Sequence, residues 1–510
     1  MAQLCWQCGA SSDPATSLDS PSLRDFHRLL TSNDVPLDSE IPFIRDVVSD
    51  GQKQVDALEA AIAQLTRKRD EIAENIRQRR AILSPIRRVP PELVCEILVL
   101  SLSSDDDGEM ANEPPWYLGH ICRFWRHCVL AYPALWSSIT IPSSSSSDPH
   151  PLISMIEVQL VQSADAPLRV CWSPCDDRNT ADPGSVDLVL AHSSRWRTLL
   201  LDIRCKSHVP VSLDWLRPAN GHLLALETFE VTGSRGFRVD IPDIFSTTPS
   251  LRNVFLTNWT FEVYTSVPAI SWVQITRYSG TFDPDSQIEI VEAATNLVSC
   301  ALGFPSWDDN VAHGPPLVLP RLRRLHLETP AFFHRLKAPL LEELICHNWS
   351  GTINGLPEIL PFVQQSSCTL KKLVLSGCDV DFNLITILQG LPSLTHLVIE
   401  NDGLDSTPAH IALFDALENG LCPNLVCLAC AVGSKINTHQ FFAMARSRFQ
   451  MEPLSARLVQ LRLFGRWAYD VEHCPPHIVA EIRAMCDEGF DVSFVDSHEE
   501  DILKGRAVFP

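Results

Sequence analysis

A short apolar phrase recurs along most of the chain downstream of residue 190. It places leucine-like residues at its first, fourth and sixth positions, as in Leu394-x-x-Leu397-x-Ile399. Alternation between the fourth and sixth positions is typical of a β-strand with one buried face, so the recurrence predicts a stack of parallel strands. Copies begin at Trp196, Leu226, Leu251, Trp272, Leu297, Leu322, Leu341, Leu370, Leu394, Leu425 and Leu458, about 20 to 33 residues apart.

The segments between the copies have a different period. Residues 382–391 and 409–417 carry apolar side chains at helical spacing, which predicts helices on the outer side of the strands. The repeat length is near that of leucine-rich repeats, so the expected fold class is α/β, with an irregular leucine-rich-repeat solenoid over residues 152–475. The spacing wanders and no asparagine ladder recurs, which leaves a β-rich or doubly wound α/β fold as the alternative.

A heptad pattern precedes the repeats. Apolar residues fall at Val55, Leu58, Ile62 and Leu65 and continue to Leu83, with two arginines intruding at seam positions. The pattern predicts a long helix over 41–83. Because an isolated helix of this kind is marginal in water, it either forms a coiled coil, giving a homodimer through 55–83, or folds back on its own domain.

Residues 84–141 form a split helical cassette. Pro90 and Pro91 suit a helix start, where a missing N–H group costs little, and Glu92 suits the positive end of the helix dipole. The helix that follows is apolar on two stripes, one through Leu93 and the other through Val94. A helix this short covers one stripe with its own domain and leaves the other for something else.

The cassette resembles the F-box. Val89-Pro90-Pro91-Glu92-Leu93 stands where that family has Leu-Pro-x-Glu-Leu, and Arg123-Phe124-Trp125-Arg126 stands where it has Arg-x-Trp-Arg. Pro133-Ala134-Leu135-Trp136 then matches the family's Pro-x-Leu-Trp. An acidic, turn-rich stretch over 103–115 interrupts the middle, as in the F-box-like variant of the large fungal (mushroom-type) family.

The resemblance implies a function. F-box proteins are substrate receptors of SCF-type (cullin-RING) ubiquitin ligases, so a Skp-family adaptor and its cullin complex are the expected partners, with a protein substrate on the repeats. Trp125, Leu135 and Trp136 are then core residues, the alternative being that the tryptophans anchor an interface. A repeat-based scaffold without a ligase is the alternative function. The expected adaptor-binding residues are Val89, Pro90, Leu93, Val94, Ile97 and Leu98.

These patterns predict the domain organisation. The cassette and the repeats are separated by a linker rich in serine and proline. The predicted parts are a flexible leader (1–40), the long helix (41–83), the F-box-like domain (84–141), the linker (142–151), the repeats (152–475) and a C-terminal segment (476–510).

Composition narrows the function classes. The 510 residues carry a formal net charge of −21 at pH 7, which disfavours nucleic acid and anionic membranes as general partners. No secretory signal or membrane-spanning run is evident. The 17 cysteines are therefore expected to be reduced, in the cytoplasm and/or the nucleus. A basic zone over 67–88 suits a solvated helix face or a nuclear address.

Catalytic and metal-binding motifs are missing from the sequence. It holds no nucleophile elbow, phosphate loop, dinucleotide fingerprint or zinc-protease motif. Cys5-x-x-Cys8 has half the spacing of a zinc site, but no second pair follows at a suitable distance. His120, Cys122, His127 and Cys128 are better explained as core and surface residues of a helical domain. We therefore expect a non-enzymatic protein without catalytic residue, metal or cofactor.

Overall fold

The computed structural model describes the long helix, the cassette and the repeats with gaps between segments. The chain divides into two compact units, residues 1–90 and 91–510. The described residues are 3–4, 11–12, 27–102, 115–141, 150–173, 183–203, 211–233, 239–258, 267–304, 314–328, 330–347, 356–377, 381–400, 408–431, 438–450, 457–464 and 476–494.

One long helix dominates the first unit. Helix α2 (Ile41–Ile82) follows the short α1 (His27–Thr31) and precedes a 3-10 turn, Pro85–Arg88. The Glu40 carboxylate accepts from the Leu37 N–H at 2.8 Å where the helix begins. No side chain of α2 is buried. The predicted long helix is confirmed within a residue at its end. Gln3–Leu4 and Ser11–Ser12 pair as short antiparallel strands.

The second unit begins with the helices of the cassette. Helix α3 (Pro91–Leu102) packs against α4 (Arg123–Ala131). A 3-10 turn, Leu118–His120, precedes α4, and another, Pro133–Trp136, follows it. The chain then enters a sheet directly at Ser138.

That sheet holds fourteen strands within the described part of the chain, all parallel and neighbouring one another in chain order. The strands are β1 (Ser138–Ile141), β2 (Leu168–Trp172), β3 (Trp196–Ile203), β4 (Thr228–Gly233), β5 (Asn253–Asn258), β6 (Arg277–Thr281), β7 (Ser299–Gly303), β8 (Arg324–Leu327), β9 (Glu343–His347), β10 (Lys372–Ser376), β11 (His396–Glu400), β12 (Cys427–Ala431), β13 (Gln460–Phe464) and β14 (Asp491–Phe494).

Helices connect strands near both ends of the sheet and between β6 and β7, and shorter 3-10 turns occur in connections between β2 and β9. The helices are α5 (His150–Gln162), α6 (Pro183–Leu190), α7 (Pro284–Ala293), α8 (Leu356–Ser366), α9 (Phe382–Gln389), α10 (Pro408–Glu418), α11 (Thr438–Phe449) and α12 (Pro476–Asp487). The turns are Ser193–Arg195, Asp214–Ala219, Phe245–Thr247, Trp272–Gln274 and Pro330–Arg335. Two short parallel pairs join Val211–Ser212 to Val239–Asp240 and Leu317–Val318 to Leu336–Lys337.

The register explains why the leucine phrase recurs. Its fourth positions lie side by side, so that Leu373 pairs with Leu397 and Leu397 with Leu428. Its sixth positions form the next row, as in Leu375 beside Ile399. Both rows are buried in one continuous apolar core with the helices. The predicted mixed α/β fold with many parallel strands is therefore confirmed.

One predicted copy of the phrase begins three residues before the true one. The copy predicted to begin at Trp272 lies in a 3-10 turn, and the strand that follows is β6. There Tyr278 pairs with Val254 and Gly280 pairs with Leu256. The true copy is thus Ile275-x-x-Tyr278-x-Gly280, and a glycine at its sixth position hid it from the apolar pattern.

The predicted boundaries of the repeats need correction. The sheet begins at β1, inside the segment 84–141, and ends at β14, inside the segment 476–510. Helix α5 starts within the expected linker 142–151, of which residues 142–149 lie outside the described part of the chain. Strand β2 carries a register shift between Leu168 and Arg169, which removed the phrase spacing there.

Strand β6 fills its core with a tyrosine where other strands have a leucine-like residue. A Cβ atom at Gly280 would lie 2.1 Å from the Tyr278 hydroxyl oxygen. The tyrosine cannot move away, because its ring packs edge-on against Trp272 at 5.5 Å and its hydroxyl donates to Gln287 at 2.9 Å. The Gln287 amide in turn donates to the Gly280 and Gly303 carbonyls. Glycine at 280 is therefore required by packing.

We predict that Gly280→Ala destabilises the protein by about 1–3 kcal/mol, because the added methyl group overpacks a core that has no room to yield. Urea unfolding measures the loss. Ser279→Ala is the control: it lies on the same strand, projects to the other face, removes atoms rather than adding them, and is expected to cost about 1 kcal/mol or less. Adding Tyr278→Leu to Gly280→Ala should recover part of the loss. Additive effects of the two changes would contradict the packing argument.

Candidate docking surface and second sheet face

Helix α3 has two apolar faces with different surroundings. Val94 and Leu98 are each 1% exposed and belong to the core, together with Cys95. On the outer face Leu93 is 56% exposed, Ile97 45% and Leu100 70%. Positions 93, 97 and 100 share one side of a helix because they are spaced by four and three residues. The outer face is therefore an apolar stripe open to solvent.

Side-chain contacts with α4 and its flanking turn decide which face of α3 lies inside. The Cys95 thiol donates to the Cys128 carbonyl oxygen at 3.8 Å, and burial raises the pKa of that thiol. The Tyr132 hydroxyl donates to the Glu96 carboxylate, and this hydrogen bond raises the pKa of Tyr132. These contacts fix the rotation of α3 about its axis, which leaves Leu93 on the outside.

Trp136 joins the cassette to the sheet. Its indole N–H donates to the Val129 carbonyl oxygen at 2.7 Å, and its ring packs edge-on against Trp116 at 4.8 Å between centroids. Three residues later β1 begins to bury its core row at Ile139. Trp136 thus stands at the first position of a leucine-like phrase, Trp136-x-x-Ile139-x-Ile141, which the sequence pattern did not reveal.

A second tryptophan repeats this arrangement. The Trp196 indole N–H donates to the Val189 carbonyl oxygen at 3.3 Å, again seven residues earlier and at the end of a helix. In both places the sequence is Val-Leu-Ala, then four intervening residues, then Trp, starting at Val129 and at Val189. Helix α4, its turn and β1 are consequently built like α6, its turn and β3.

The expected site residues are only partly brought together. Leu93 and Ile97 lie on the exposed stripe, and Leu100 extends it although the sequence pattern did not single it out; its signal was the spacing of seven from Leu93. The prediction that Val94 and Leu98 form part of the adaptor-binding surface is corrected, because both side chains face the protein's own core. In the first unit, Val89 is half-buried and Pro90 exposed.

The expected cassette core is also partly right. Leu135 and Trp136 are buried, whereas Trp125 is only half-buried and is corrected accordingly. At the start of α4 the Cys122 sulfur is the cap and accepts from the Trp125 backbone N–H at 3.4 Å. Further apolar side chains are exposed on α4 and the turn before it, namely Tyr117, Ile121, Phe124 and Leu130.

The sheet offers a second surface. Residues that alternate with the core rows project from its other face, because successive side chains of a strand point in opposite directions. Ile345, Val374, Val398 and Ala429 lie in register across β9–β12 and form a buried apolar row on that face.

A charged row runs beside this apolar row. Glu343 accepts from Arg324 at 3.2 Å on one side and from Lys372 on the other. His396 follows in register, and burial lowers its pKa. Arg324 and Lys372 thus flank Glu343, and its carboxylate is compensated from both sides.

The opposite edge of the same face is acidic. The Ser376 hydroxyl donates to the Glu400 carboxylate at 2.6 Å, and the His347 ring lies 6.4 Å from that of His326. Burial raises the pKa of Glu328 to about 7. Burial, followed by the neighbouring His347, lowers the pKa of His326 to about 4. The histidine is therefore neutral at pH 7, and the carboxyl titrates there.

No protein-family model and no curated protein matches the chain. Within the described residues, no group of three or more histidine, cysteine or acidic side chains could hold a metal ion, and no helix is long and apolar enough to cross a membrane. Cys5 and Cys8 lie outside the described residues.

We predict a pH-dependent effect of Glu328→Gln. The folded-state pKa of about 7 exceeds the ordinary 4.5, so folding favours the neutral carboxyl. That contribution is complete below about pH 4.5 and is lost as the pH rises through about 7. The neutral amide should therefore make the variant more stable than the wild type at pH 8, by roughly 1–2 kcal/mol, and the gap should close towards pH 4.5.

Thermal or urea unfolding across this pH range measures the effect. Glu342→Gln is the control with the opposite sign, because the hydrogen bond from Lys371 lowers the pKa of Glu342 and the variant should lose stability at pH 8. A stability gap for Glu328→Gln that does not change with pH would show that the carboxyl is already ionised at pH 5.

Proposed function

We propose that the chain is a non-catalytic substrate receptor of an SCF-type (cullin-RING) ubiquitin ligase. Residues 84–141 act as an F-box-like domain that binds a Skp-family adaptor, and the parallel sheet with its helices acts as an irregular leucine-rich-repeat solenoid that binds a protein substrate. The proposal draws on the resemblance of the motifs at 89–93, 123–126 and 133–136.

The observation that carries the proposal is the exposed stripe of α3. Leu93, Ile97 and Leu100 are open to solvent on a helix whose other apolar face is sealed. Burying each would contribute about 1.5–3 kcal/mol before the cost of association, which suits a stable but exchangeable interface. An apolar stripe of this kind is typical of a docking surface for another protein.

The proposed mechanism is proximity. The adaptor holds the chain in the ligase, and a substrate bound to the sheet face opposite the core is kept near a ubiquitin-conjugating enzyme, so that its lysines react at a high effective concentration. The charged row of Arg324, Glu343 and Lys372 gives that face partly exposed polar groups of the kind that protein interfaces use. No reacting group of this chain is needed.

We predict that replacing Leu93 and Ile97 together with Lys weakens binding of a purified Skp-family adaptor at least about 100-fold, because two buried aliphatic contacts are lost and two charges must be desolvated. Both residues are exposed, so the melting temperature should shift by no more than about 2 °C. Titration calorimetry measures the binding, and circular dichroism checks the fold.

A matched control is available on α5. Val158 and Val161 are also exposed aliphatic residues on a helix, and replacing both with Lys should leave adaptor binding unchanged. Equal adaptor binding by the Leu93/Ile97 variant and the wild type would refute the docking surface. A wild-type chain that binds no Skp-family adaptor, yet captures other proteins through the sheet, would instead be a repeat-based scaffold without a ligase.

A further inference from the structure

Helix α2 carries an unpartnered apolar seam along its whole length. Val48, Val55, Leu58, Ile62, Leu65, Ile72 and Ile76 are each at least 45% exposed. With Ile41 and Ile44 they occupy the first and fourth places of successive heptads, and the places left over hold Gly51, Arg69 and Arg79. A heptad seam that spans a 42-residue helix is the pattern of a coiled coil.

A seam of this length is covered along its whole length by an element of similar length. At about 1.5 Å per residue the helix is about 63 Å long. The other described elements of the first unit are a five-residue helix, a four-residue 3-10 turn and two strands of two residues each. A second copy of α2 matches the seam in length and spacing.

The charges of α2 select the orientation of that second copy. Residues 41–62 contain two basic and four acidic side chains, a net −2, whereas residues 63–83 contain six basic and three acidic ones, a net +3. In a parallel pair the two basic halves lie together and the seam arginines meet their own copies. An antiparallel pair sets each acidic half against a basic half, which is the electrostatically favoured arrangement.

The seam also selects a register. In an antiparallel coiled coil the first-place residues of one helix pack against fourth-place residues of the other. Pairing Leu58 with Ile62 of the second copy, and Val48 with Ile72, fills the layers with aliphatic side chains. The same register places Arg69 opposite Gly51, where a Cβ would meet nothing within 4 Å. It places Arg79 opposite Ile41, at the open end of the helix.

We propose that the protein is a homodimer held by an antiparallel two-stranded coiled coil of α2, centred near Ala60, with Arg69 of each helix lying over Gly51 of the other. The seam residues Arg69 and Gly51, which would weaken a parallel coil at two separate layers, compensate each other in this pair. The two chains leave the coiled coil at opposite ends, on the order of 60 Å apart. The dimer goes beyond the proposed ligase function and does not depend on it.

The first experiment tests the dimer with the full chain. Multi-angle light scattering and sedimentation equilibrium should give twice the chain mass for the wild type. Leu58→Lys with Ile62→Lys sets four charges in the central layers and should raise the dissociation constant at least about 100-fold, giving monomers. Ala57→Lys with Ala60→Lys adds the same charge to the same helix outside the seam and should remain dimeric. A monomeric wild type, or a larger assembly, would overturn the proposal.

The second experiment tests orientation and register by cysteine cross-linking under mild oxidation. Val48→Cys with Ile72→Cys should form a covalent dimer, because each engineered thiol faces the other across the seam. Val48→Cys alone should not, since its copies lie far apart. Residues 48 and 72 of one helix are about 36 Å apart, so no bond forms within a chain. The parent chain, oxidised alongside, controls for the native cysteines.

Mass spectrometry of the linked peptides decides the outcome. A bond between residues 48 and 72 of two copies supports the antiparallel register. A bond between two copies of residue 48 demonstrates a parallel coil and overturns the proposed orientation. A double variant that is dimeric but forms no bond between 48 and 72 overturns the proposed register.

Discussion

Parallel strands that follow one another in chain order impose one constraint on every segment of the second unit: each strand must present the same two rows to the core. The fourth and sixth residues of the phrase supply those rows, as Leu373 and Leu397 do in neighbouring strands. Each strand buries its own rows only by stacking on the next, and the connecting helices seal the inner side. The sheet therefore tolerates variation in its connections far more readily than in its rows.

This constraint explains how much of the fold could be predicted from the sequence. Most strands were found because a leucine-like residue at each row is a local signal. This signal is absent where a different side chain fills the same space. In β6 Tyr278 reaches over Gly280, so the buried volume is conserved although the leucine pattern is lost. The signal is also absent in β2, where a register shift changes the spacing. Volume and register are properties of neighbouring strands together, which a single segment does not encode.

The candidate docking surface could also be predicted only in part from the sequence. The spacing of apolar residues on α3 predicts two faces, but it does not say which one lies inside. Contacts from elsewhere decide that question, through Cys95 with the Cys128 carbonyl and Tyr132 with Glu96. Val94 and Leu98 were therefore grouped with Leu93 and Ile97 although they face the core. Leu100 lies one turn after Ile97 and fits the same apolar spacing, but it lies outside the motif that resembles the F-box.

Trp136 connects the cassette to the sheet. It belongs to the cassette through its hydrogen bond to the Val129 carbonyl and to the sheet through its place three residues before Ile139. Trp196 makes the same contact to Val189 at the start of β3, so α4 precedes β1 in the same way as α6 precedes β3. The cassette therefore meets the sheet at the turn that ends at Trp136, and the core cluster of the sheet begins at Ile139. Helix α3 packs on α4 and the turn after it through its inner face. Residues of its exposed outer stripe can therefore change without cost to the fold.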